Sequence, residues 1–280
     1  MIIDTIRARQ SFAALAALDE EAFPLDRAAL VIASEEYPEL DVASYLRRID
    51  TFAARAEVLV GFDRSPINYI ESINEVLFVQ EGLRGNSEDY YDPRNSYINE
   101  VLDRRLGIPI TLSIIYIEAA RRIGFPVHGI GFPGHFLMKH VANERDIIID
   151  AFEMGRILTT RDCQELLDKT YNGAVQMSPS LLNPMEKRAI ITRMLYNLKG
   201  IYRQREQYQK ALAIIEKILL LNPWTPSEVR DRGLIYMQTS LFAKALADLE
   251  SYLTHVMSPE DSSNIEEHIK MLRTIVCSRN

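Results

Sequence analysis

The sequence predicts an α+β domain followed by an all-α region built from repeated helical hairpins. Two observations support this fold class. A long apolar helix precedes three strand-like runs, and a 34-residue period begins after residue 185. The composition, 47% hydrophobic and 25% charged over 280 residues, is ordinary for a globular protein. We place the domains at residues 1–184 and 185–280, on either side of a linker framed by Pro179 and Pro184.

The first 90 residues or so indicate helices, because apolar residues recur at helical spacing between breaks. One of these helices covers Tyr69 to Val79, and a polar loop follows it. A short helix is then predicted from Tyr97 to Leu106. The breaks are Pro24, Pro38, Pro66 and the stretch Gly82–Asn86.

The run from Ile110 to Ile123 is apolar on nearly every side, which is typical of a buried helix. Pro109 suits its first turn, and Gly124 suits the position just past its end. The period then changes to that of strands, and a further helix follows Thr160. The predicted strands are Val127–Phe132, His135–Val141 and Asp146–Phe152, with turns at Pro133–Gly134 and Ala142–Arg145.

The region after Pro184 repeats itself. Tyr202 and Tyr236 are 34 residues apart, as are Tyr208 and Phe242, and Ala211 and Ala245. This period, with aromatic and small residues in matching places, is the tetratricopeptide signature. Lys199 and Met257 depart from the pattern, where glycine and proline are expected. An ordinary helical bundle is the alternative. The run Ile265–Val276 is expected to cap the repeats.

Charge and cysteine content exclude several classes of function. The net charge is −7, divided into −10 for residues 1–184 and +3 for residues 185–280. A concentrated basic surface is missing, so we expect no nucleic-acid partner. Cys163 and Cys277 form neither a disulfide pattern nor a metal spacing, which favours the reducing cytoplasm. No apolar run reaches the length of a membrane span, so no membrane partner is expected.

One pair of residues suggests a site. If Val141 pairs with Asp146 in a hairpin, Leu137 faces Asp150 and His135 becomes a diagonal neighbour of Asp150 on the same face. Asp150 follows three isoleucines, where an unpaired carboxylate would be costly. The sequence therefore predicts a His135–Asp150 hydrogen bond. The alternative to a catalytic pair is a purely structural one.

Five segments of the first domain together carry a family resemblance: Asn95–Asn99, Gly107–Ser113, Gly124–Val127, Gly131–Phe136 and Ile149–Asp150. They resemble the SirB-type branch of transglutaminase-like proteins, which joins a transglutaminase-like domain to tetratricopeptide repeats. The same domain also occurs in an animal F-box protein. The resemblance implies a transglutaminase/papain-like α+β fold with its core at about residues 95–155. It implies little about activity, because members are mostly uncharacterised or described as regulators.

The resemblance also implies a triad in which His135 and Asp150 hold the second and third positions. The nucleophilic cysteine would stand at the start of the buried helix, at or next to Pro109, which has neither a nucleophile nor an N–H group. The nearest hydroxyls belong to Thr111 and Ser113, and we expect Ser113 to point into the core. Cys163, from a later helix, is another candidate nucleophile.

We expect neither a cofactor nor a metal ion. His128, His135 and His140 are the histidines that could form a metal site, but their spacing is loose. His140 and His135 lie on one predicted strand with opposite parity, so they point to opposite faces.

The missing cysteine favours a non-catalytic interaction or regulatory protein, a pseudoenzyme that keeps a remnant His135–Asp150 dyad. The alternative is an acyl-transfer or amide-hydrolysing enzyme that uses His135 and Asp150 with an unorthodox nucleophile, Ser113 being a weak candidate.

The repeats predict a peptide-binding surface on the first helix of each copy. Arginine forks and the +3 charge fit an acidic segment or a free carboxyl terminus. The alternative is that the arginines face solvent or clamp the acidic domain. The predicted contact residues are Arg193, Tyr196, Arg203, Arg230, Met237 and Gln238.

Overall fold

A computed structural model describes residues 2–142, 146–255 and 259–279 of the chain. It divides the protein into two units, residues 1–194 and 195–280. The division lies inside helix α8 (Lys187–Gln204), whereas the sequence analysis put the boundary before this helix. Residues 143–145 of the predicted hairpin turn, and Met257 of the second repeat, lie outside the described residues.

The first unit begins with helices whose ends are set by local capping. Asp41 accepts a hydrogen bond from the Ala43 amide ahead of α3, and Ser65 accepts one from Asn68 ahead of α4. Pro66 occupies the first position of α4. The helix then widens into a π-helical segment, Glu75–Gln80. The four helices are α1 (Ile2–Ala16), α2 (Leu25–Glu36), α3 (Val42–Val60) and α4 (Pro66–Asn74).

Two very short strands pair with each other in the region before the buried helix. β1 (Arg84–Gly85) pairs in parallel with β2 (Leu106–Gly107), which follows α5 (Ile98–Arg104). A 3₁₀ turn at Pro93–Ser96 precedes α5. The sequence predicted a break at β1 and a helix through Leu106. The helix ends earlier because Arg105 adopts a left-handed conformation with φ of 63°.

Helix α6 (Pro109–Arg122) is the buried helix that the sequence predicts. All its residues from Pro109 to Ala120 are buried. Pro109 stands at the start of the helix, and Gly124, with φ of 72°, lies beyond its end. The all-round apolar character of the sequence is therefore explained by packing on several sides.

An antiparallel sheet follows α6, with four strands in the order β3-β4-β5-β6. Three match the predicted strands, although each is shorter. The fourth was not predicted and follows a tight turn in which Met154 and Gly155 have positive φ. Helix α7 (Thr160–Tyr171) comes next, capped by Thr159. The strands are β3 (His128–Ile130), β4 (Leu137–His140), β5 (Ile147–Asp150) and β6 (Arg156–Leu158).

The second unit consists of helical hairpins. Ala211 and Ala245, the small residues of the repeat pattern, are fully buried. The predicted capping run Ile265–Val276 lies within α12, and Ile265, Ile269 and Leu272 pack with residues of α11. The helices after α8 are α9 (Tyr208–Leu221), α10 (Pro226–Gln238), α11 (Phe242–Leu253) and α12 (Pro259–Arg279).

None of the described helices combines the length and apolar character that a bilayer-spanning helix requires.

Candidate functional site

The hairpin formed by β4 and β5 has the register that the sequence predicts. Met138 lies opposite Ile149, and His140 lies opposite Ile147. The same register, continued by one residue, brings Leu137 into line with Asp150. Because side chains alternate along a strand, this register decides which residues share a face of the sheet. His135, just before β4, lies next to Asp150.

His135 and Asp150 form the predicted hydrogen bond. The distance between His135 Nε2 and Asp150 Oδ2 is 2.9 Å. The second oxygen of the carboxylate, Oδ1, accepts a hydrogen bond of 2.9 Å from the Phe152 amide. The Asp150 side chain is 1% exposed and that of His135 is 15% exposed. Both oxygens of a buried carboxylate are thus paired, which offsets the cost of removing it from water.

The second ring nitrogen of His135, Nδ1, makes no hydrogen bond to any residue that the structure describes. The ring stands edge-on to Phe152, with 6.0 Å between the ring centroids, and Phe152 in turn contacts Tyr90 at 6.4 Å. Gly85 in β1 makes room for Phe152, because a Cβ atom there would lie 2.5 Å from Phe152 Cε2. Asp150 and an aromatic wall therefore hold the ring, while Nδ1 is left available.

The start of α6 has no nucleophile. Ile108 is the N-cap residue and Pro109 follows it. The Thr111 hydroxyl accepts a hydrogen bond from the Ile108 amide and donates one of 2.8 Å to the Asn95 carbonyl, so it serves the helix end. Ser113 is fully buried and its Oγ makes no hydrogen bond. It thus lies in the core, as expected, and forms no hydrogen bond with His135.

Cys163 lies in α7 within an apolar cluster that includes Leu137 and Ile148. It is fully buried, and its thiol makes no hydrogen bond among the described residues. Burial raises the pKa of the Cys163 thiol to about 11, and the negative charges of Asp162 and Asp150 act in the same direction. The thiol is therefore protonated at neutral pH, in contrast to an activated nucleophile.

The other histidines do not join His135. His140 Nδ1 hydrogen-bonds to the Pro126 carbonyl at 2.8 Å, and its ring stacks on Phe125 at 4.2 Å. His128, at the start of β3, is exposed. No group of three or more potential metal ligands occurs among the described residues.

Arg193 is placed differently from the sequence analysis, which assigned it to the peptide-binding surface of the repeats. It belongs to the first unit. Its Nη2 donates to the carbonyl oxygens of Phe132, at 2.8 Å, and His135. Its guanidinium also lies over the Phe136 ring, 5.6 Å from the centroid. It is therefore a neighbour of the His135 site. These contacts agree with the alternative offered by the sequence analysis, in which the arginines clamp the acidic domain. The specific contact with His135 was missed, because no sequence signal links two residues 58 positions apart.

The remaining residues of the predicted peptide surface lie in the second unit. Tyr196 and Gln238 are exposed, whereas Met237 packs partly against the α11–α12 cluster. Arg203 and Arg230 both bind the carboxylate of Asp231, each at 3.0 Å. Their guanidinium groups are thus partly occupied by an ion pair within the chain, which leaves fewer hydrogen-bond donors for a ligand.

Asp231 is the centre of a buried charge network. Lys199 donates to both Asp231 and Glu228, and all three residues are buried. Burial alone would raise the pKa of Asp231, but the hydrogen bond and charge of Lys199, together with the two arginines, hold it below its ordinary value. Lys199, which departs from the repeat pattern, is therefore paired with two carboxylates of α10, those of Glu228 and Asp231.

Known proteins match both parts of this architecture. A family model described as the transglutaminase-like superfamily matches residues 43–196, more than half of the chain, and includes His135 and Asp150. A UPF0162 protein of Xylella fastidiosa is 37% identical over 265 residues, which cover 91% of this chain and 92% of the relative. The chain belongs to the UPF0162 family of transglutaminase-like proteins.

Other matches agree with this family. A UPF0162 protein of Vibrio cholerae is 29% identical over 238 residues, or 85% of this chain and 88% of the relative. A tetratricopeptide-repeat model matches residues 198–270. The α+β fold class and the order of transglutaminase-like domain and repeats are therefore confirmed for this UPF0162 member. The SirB-type assignment stays an expectation from the sequence motifs.

An animal protein is also similar to part of the chain. Human F-box only protein 21 is 29% identical over 181 residues, which cover 62% of this chain but 27% of that protein. The sequence analysis anticipated a resemblance to an animal F-box protein.

Proposed function

We propose that this UPF0162 member is a cytoplasmic, non-catalytic regulator that works by binding another protein. In this proposal the transglutaminase-like domain is a pseudoenzyme scaffold, and the tetratricopeptide region carries the partner-binding surface. Tetratricopeptide repeats generally mediate contacts between proteins, which supports the second half of the proposal.

The observation that carries the proposal is the environment of His135. A histidine base activates a nucleophile only within hydrogen-bond reach, about 2.6–3.2 Å. Among the described residues, the one side chain hydrogen-bonded to the His135 ring is Asp150. The thiol and hydroxyls that the sequence suggested, those of Cys163, Thr111 and Ser113, are each buried, and none of them hydrogen-bonds to the His135 ring. The site therefore has an orienting carboxylate and a base but lacks the third group.

An assay of the purified full-length protein tests the scaffold half. We expect neither transamidation nor amide hydrolysis above the level of the His135→Ala variant. Activity that iodoacetamide abolishes would contradict the proposal and direct attention to Cys163, first through Cys163→Ser. Activity that survives iodoacetamide but disappears in His135→Ala would instead indicate a hydroxyl or water nucleophile.

Exposed residues of the second unit support the binding half. Tyr196 is 39% exposed, and its ring lies 5.2 Å from the Lys199 ammonium. Gln238, at the end of α10, is exposed as well. Lys199 is itself engaged by Glu228 and Asp231, so the Tyr196 ring and the Gln238 amide are the groups that we expect a partner to contact. The +3 balance of residues 185–280 favours an acidic partner. The proposed partner is therefore an acidic segment or a free carboxyl terminus.

Matched variants separate binding from stability. After a partner is captured with the full-length chain, Tyr196→Ala and Gln238→Ala should weaken the complex while the melting temperature stays within about 2 °C. Arg230→Ala should lower the melting temperature, because Arg230 holds Asp231. If the Arg230 guanidinium also contacts the ligand, Arg230→Ala should in addition weaken binding by roughly 1–3 kcal/mol and reduce the salt dependence of binding.

The control is Trp224→Ala. Trp224 is 86% exposed just before α10 and is not one of the predicted contact residues. If Trp224→Ala weakens binding and Tyr196→Ala does not, the partner uses a different surface of the repeats.

A second candidate function is an acyl-transfer or amide-hydrolysing enzyme. The observation that favours it is the intact His135–Asp150 pair with an available Nδ1. Such an enzyme would need a nucleophile from a water molecule or from the substrate, and the same assay distinguishes it from the scaffold.

A further inference from the structure

Arg193 is a cation without an anionic partner in the part of the chain that the structure describes. It is half-buried, yet it forms no ion pair with any described residue, and its contacts are two carbonyl oxygens and the Phe136 ring. Burial lowers the pKa of the Arg193 guanidinium from its ordinary value, while the hydroxyls of Tyr90 and Tyr171 act in the opposite direction. Proteins rarely bury a charged group without a counter-charge, so this position calls for an explanation.

The hydrogen-bond donors of Arg193 are only partly used. A guanidinium has five N–H donors. The two on Nη2 are directed to the carbonyls of Phe132 and His135. Nε and Nη1 have no acceptor among the described residues. Gly131 packs closely against this part of the side chain, because a Cβ atom there would lie 3.1 Å from Arg193 Nη1 and 2.6 Å from Met185 Sδ. Three of the five donors therefore have no acceptor among the described residues.

His135 provides a second available group next to this fork. Asp150, when ionised, can only accept hydrogen bonds, so His135 Nε2 carries the proton of the 2.9 Å bond between them. A neutral His135 then presents the lone pair of Nδ1 as an acceptor. Because Arg193 binds the carbonyl oxygen of His135 itself, its guanidinium lies beside the residue that carries the acceptor nitrogen.

The surroundings add an apolar wall to these two polar groups. Phe152 stands against the His135 ring, and Tyr90 contacts Phe152. Tyr90 is close enough to Arg193 for the cation to oppose the rise that burial causes in its pKa. The ligand that matches this arrangement has a carboxylate for the fork and an N–H group one atom away for Nδ1.

We propose that Arg193 and His135 bind the carboxyl-terminal residue of an acylated amino acid or peptide. Arg193 binds the carboxylate through its unused donors, and His135 Nδ1 accepts the hydrogen bond of the adjacent amide N–H. The aromatic wall of Tyr90 and Phe152 contacts the apolar part of the ligand. The site lies wholly within the first unit, so it is independent of the proposed binding by the repeats.

The test is a titration of the full-length protein with N-acetylglycine, followed by calorimetry and by the ¹⁵N signals of the His135 ring. The neutral control is N-acetylglycinamide, which keeps the N–H but lacks the carboxylate. Propionate keeps the carboxylate but lacks the N–H. We expect N-acetylglycine to bind at least tenfold more tightly than either control and to shift the His135 signals.

Arg188→Gln is the matched control for Arg193→Gln. Arg188 lies in the same helix, donates through Nη2 to two backbone carbonyls, those of Ala16 and Leu18, and covers an aromatic ring, that of Phe23. It does not contact His135. We expect Arg193→Gln to weaken N-acetylglycine binding at least tenfold, and Arg188→Gln to leave it within twofold.

Equal binding of N-acetylglycine and its amide by the wild-type protein would overturn the proposal, whether or not the variants fold. The same holds if Arg193→Gln folds and binds as tightly as wild type, since Arg193 would then merely hold the turn before β4. A tripeptide with a free carboxyl terminus distinguishes the two ligand sources. Binding of both it and N-acetylglycine indicates a peptide end, and binding of N-acetylglycine alone indicates a small molecule.

Discussion

Asp150 links two parts of the sheet at the level of single atoms. One oxygen accepts from His135 Nε2, and the other accepts from the Phe152 amide that begins the turn to β6. Its removal would leave two buried donors without partners. The carboxylate is therefore important to the fold whether or not the pair performs chemistry.

The first prediction compares two substitutions of Asp150. Asp150→Asn can keep both contacts, because its carbonyl can accept from Phe152 while its NH₂ group donates to His135 in the other tautomer. Asp150→Ala removes both and leaves a cavity. We expect a loss in unfolding free energy of about 1 kcal/mol for Asp150→Asn and about 3 kcal/mol for Asp150→Ala, measured by urea denaturation. Equal losses would mean that the charge matters more than the hydrogen bonds.

The second prediction concerns two hydroxyls in the first turns of α6. Thr111 hydrogen-bonds to the Ile108 amide and the Asn95 carbonyl, whereas Ser113 Oγ is buried without a partner. Thr111→Val leaves two backbone groups unpaired, so it should cost roughly 2 kcal/mol of stability. Ser113→Ala removes an unpaired polar atom and should be neutral or stabilising by up to about 1 kcal/mol.

Thr111→Ser keeps the hydroxyl and removes only the methyl group, so it should retain most of the stability that Thr111→Val loses. Urea denaturation of the three variants measures these differences. A large loss in Ser113→Ala would show that the Ser113 hydroxyl has a partner, such as a buried water molecule.

The site was only partly predictable at this scale. The His135–Asp150 bond follows from the two-residue period of strands and from the cost of an unpaired Asp150, so the sequence was sufficient. Arg193 reaches His135 from a distant helix. Neither local period nor composition reports such a contact, because it depends on how α8 packs, which is a property of tertiary structure.

Two helices of the repeat region differ in how closely a neighbour approaches their glycine. A Cβ atom on Gly200 of α8 would have no neighbour within 4 Å. A Cβ atom on Gly233 of α10 would lie 2.8 Å from Leu249 Cδ2 and 3.1 Å from Asp248 Cβ on α11. Gly233 thus allows α10 and α11 to pack closely.

The third prediction uses this glycine pair. Alanine favours a helix over glycine by about 1 kcal/mol. Gly200→Ala should therefore raise the free energy of unfolding by roughly 0.5–1 kcal/mol. Gly233→Ala should lower it by about 1–3 kcal/mol, because the overpacking outweighs the helix preference. Thermal or urea unfolding of both variants measures these changes. Stabilisation by both substitutions would show that α10 and α11 can move apart at little cost in free energy.

Long elements were more predictable than short ones. The helix near Ile110 and the 34-residue repeat extend over many residues, so the periodic signal is strong. Strands β1 and β2 have two residues each and β6 has three, which is too few to show a period of two. Their formation depends on pairing partners supplied by the fold. The π-helical widening at Glu75–Gln80 likewise has no sequence signal that we recognise.

Each of the two units contains one cysteine, so the reactivity of each thiol can be used to follow one unit. Cys163 is fully buried in the first unit, and Cys277 is exposed in the second. The pKa of Cys163, raised by burial to about 11, keeps its thiol protonated at pH 8. Because the thiolate is the reactive form, both burial and protonation slow its modification.

The fourth prediction is that iodoacetamide at pH 8 modifies one cysteine rapidly and the other only when the first unit opens. In the Cys277→Ser variant the labelling of Cys163 should be slow and should accelerate in parallel with unfolding as urea is added. Mass spectrometry counts the modified residues. Rapid native-state labelling of Cys163 would show that the thiol is accessible and would weaken the case against it as a nucleophile.

The buried Lys199 also bears on how freely the repeats could be recombined. Repeat arrays are often treated as interchangeable modules, since each copy contacts its neighbours through similar apolar faces. Here Lys199 in the first copy is matched to Glu228 and Asp231 in the second. A consensus copy inserted between them would leave Lys199 and Glu228 buried without each other and would leave Asp231 with Arg230 as its counter-charge. The two copies therefore form a matched pair that has to be kept together. A further repeat can be added after the second copy more readily than between the two copies.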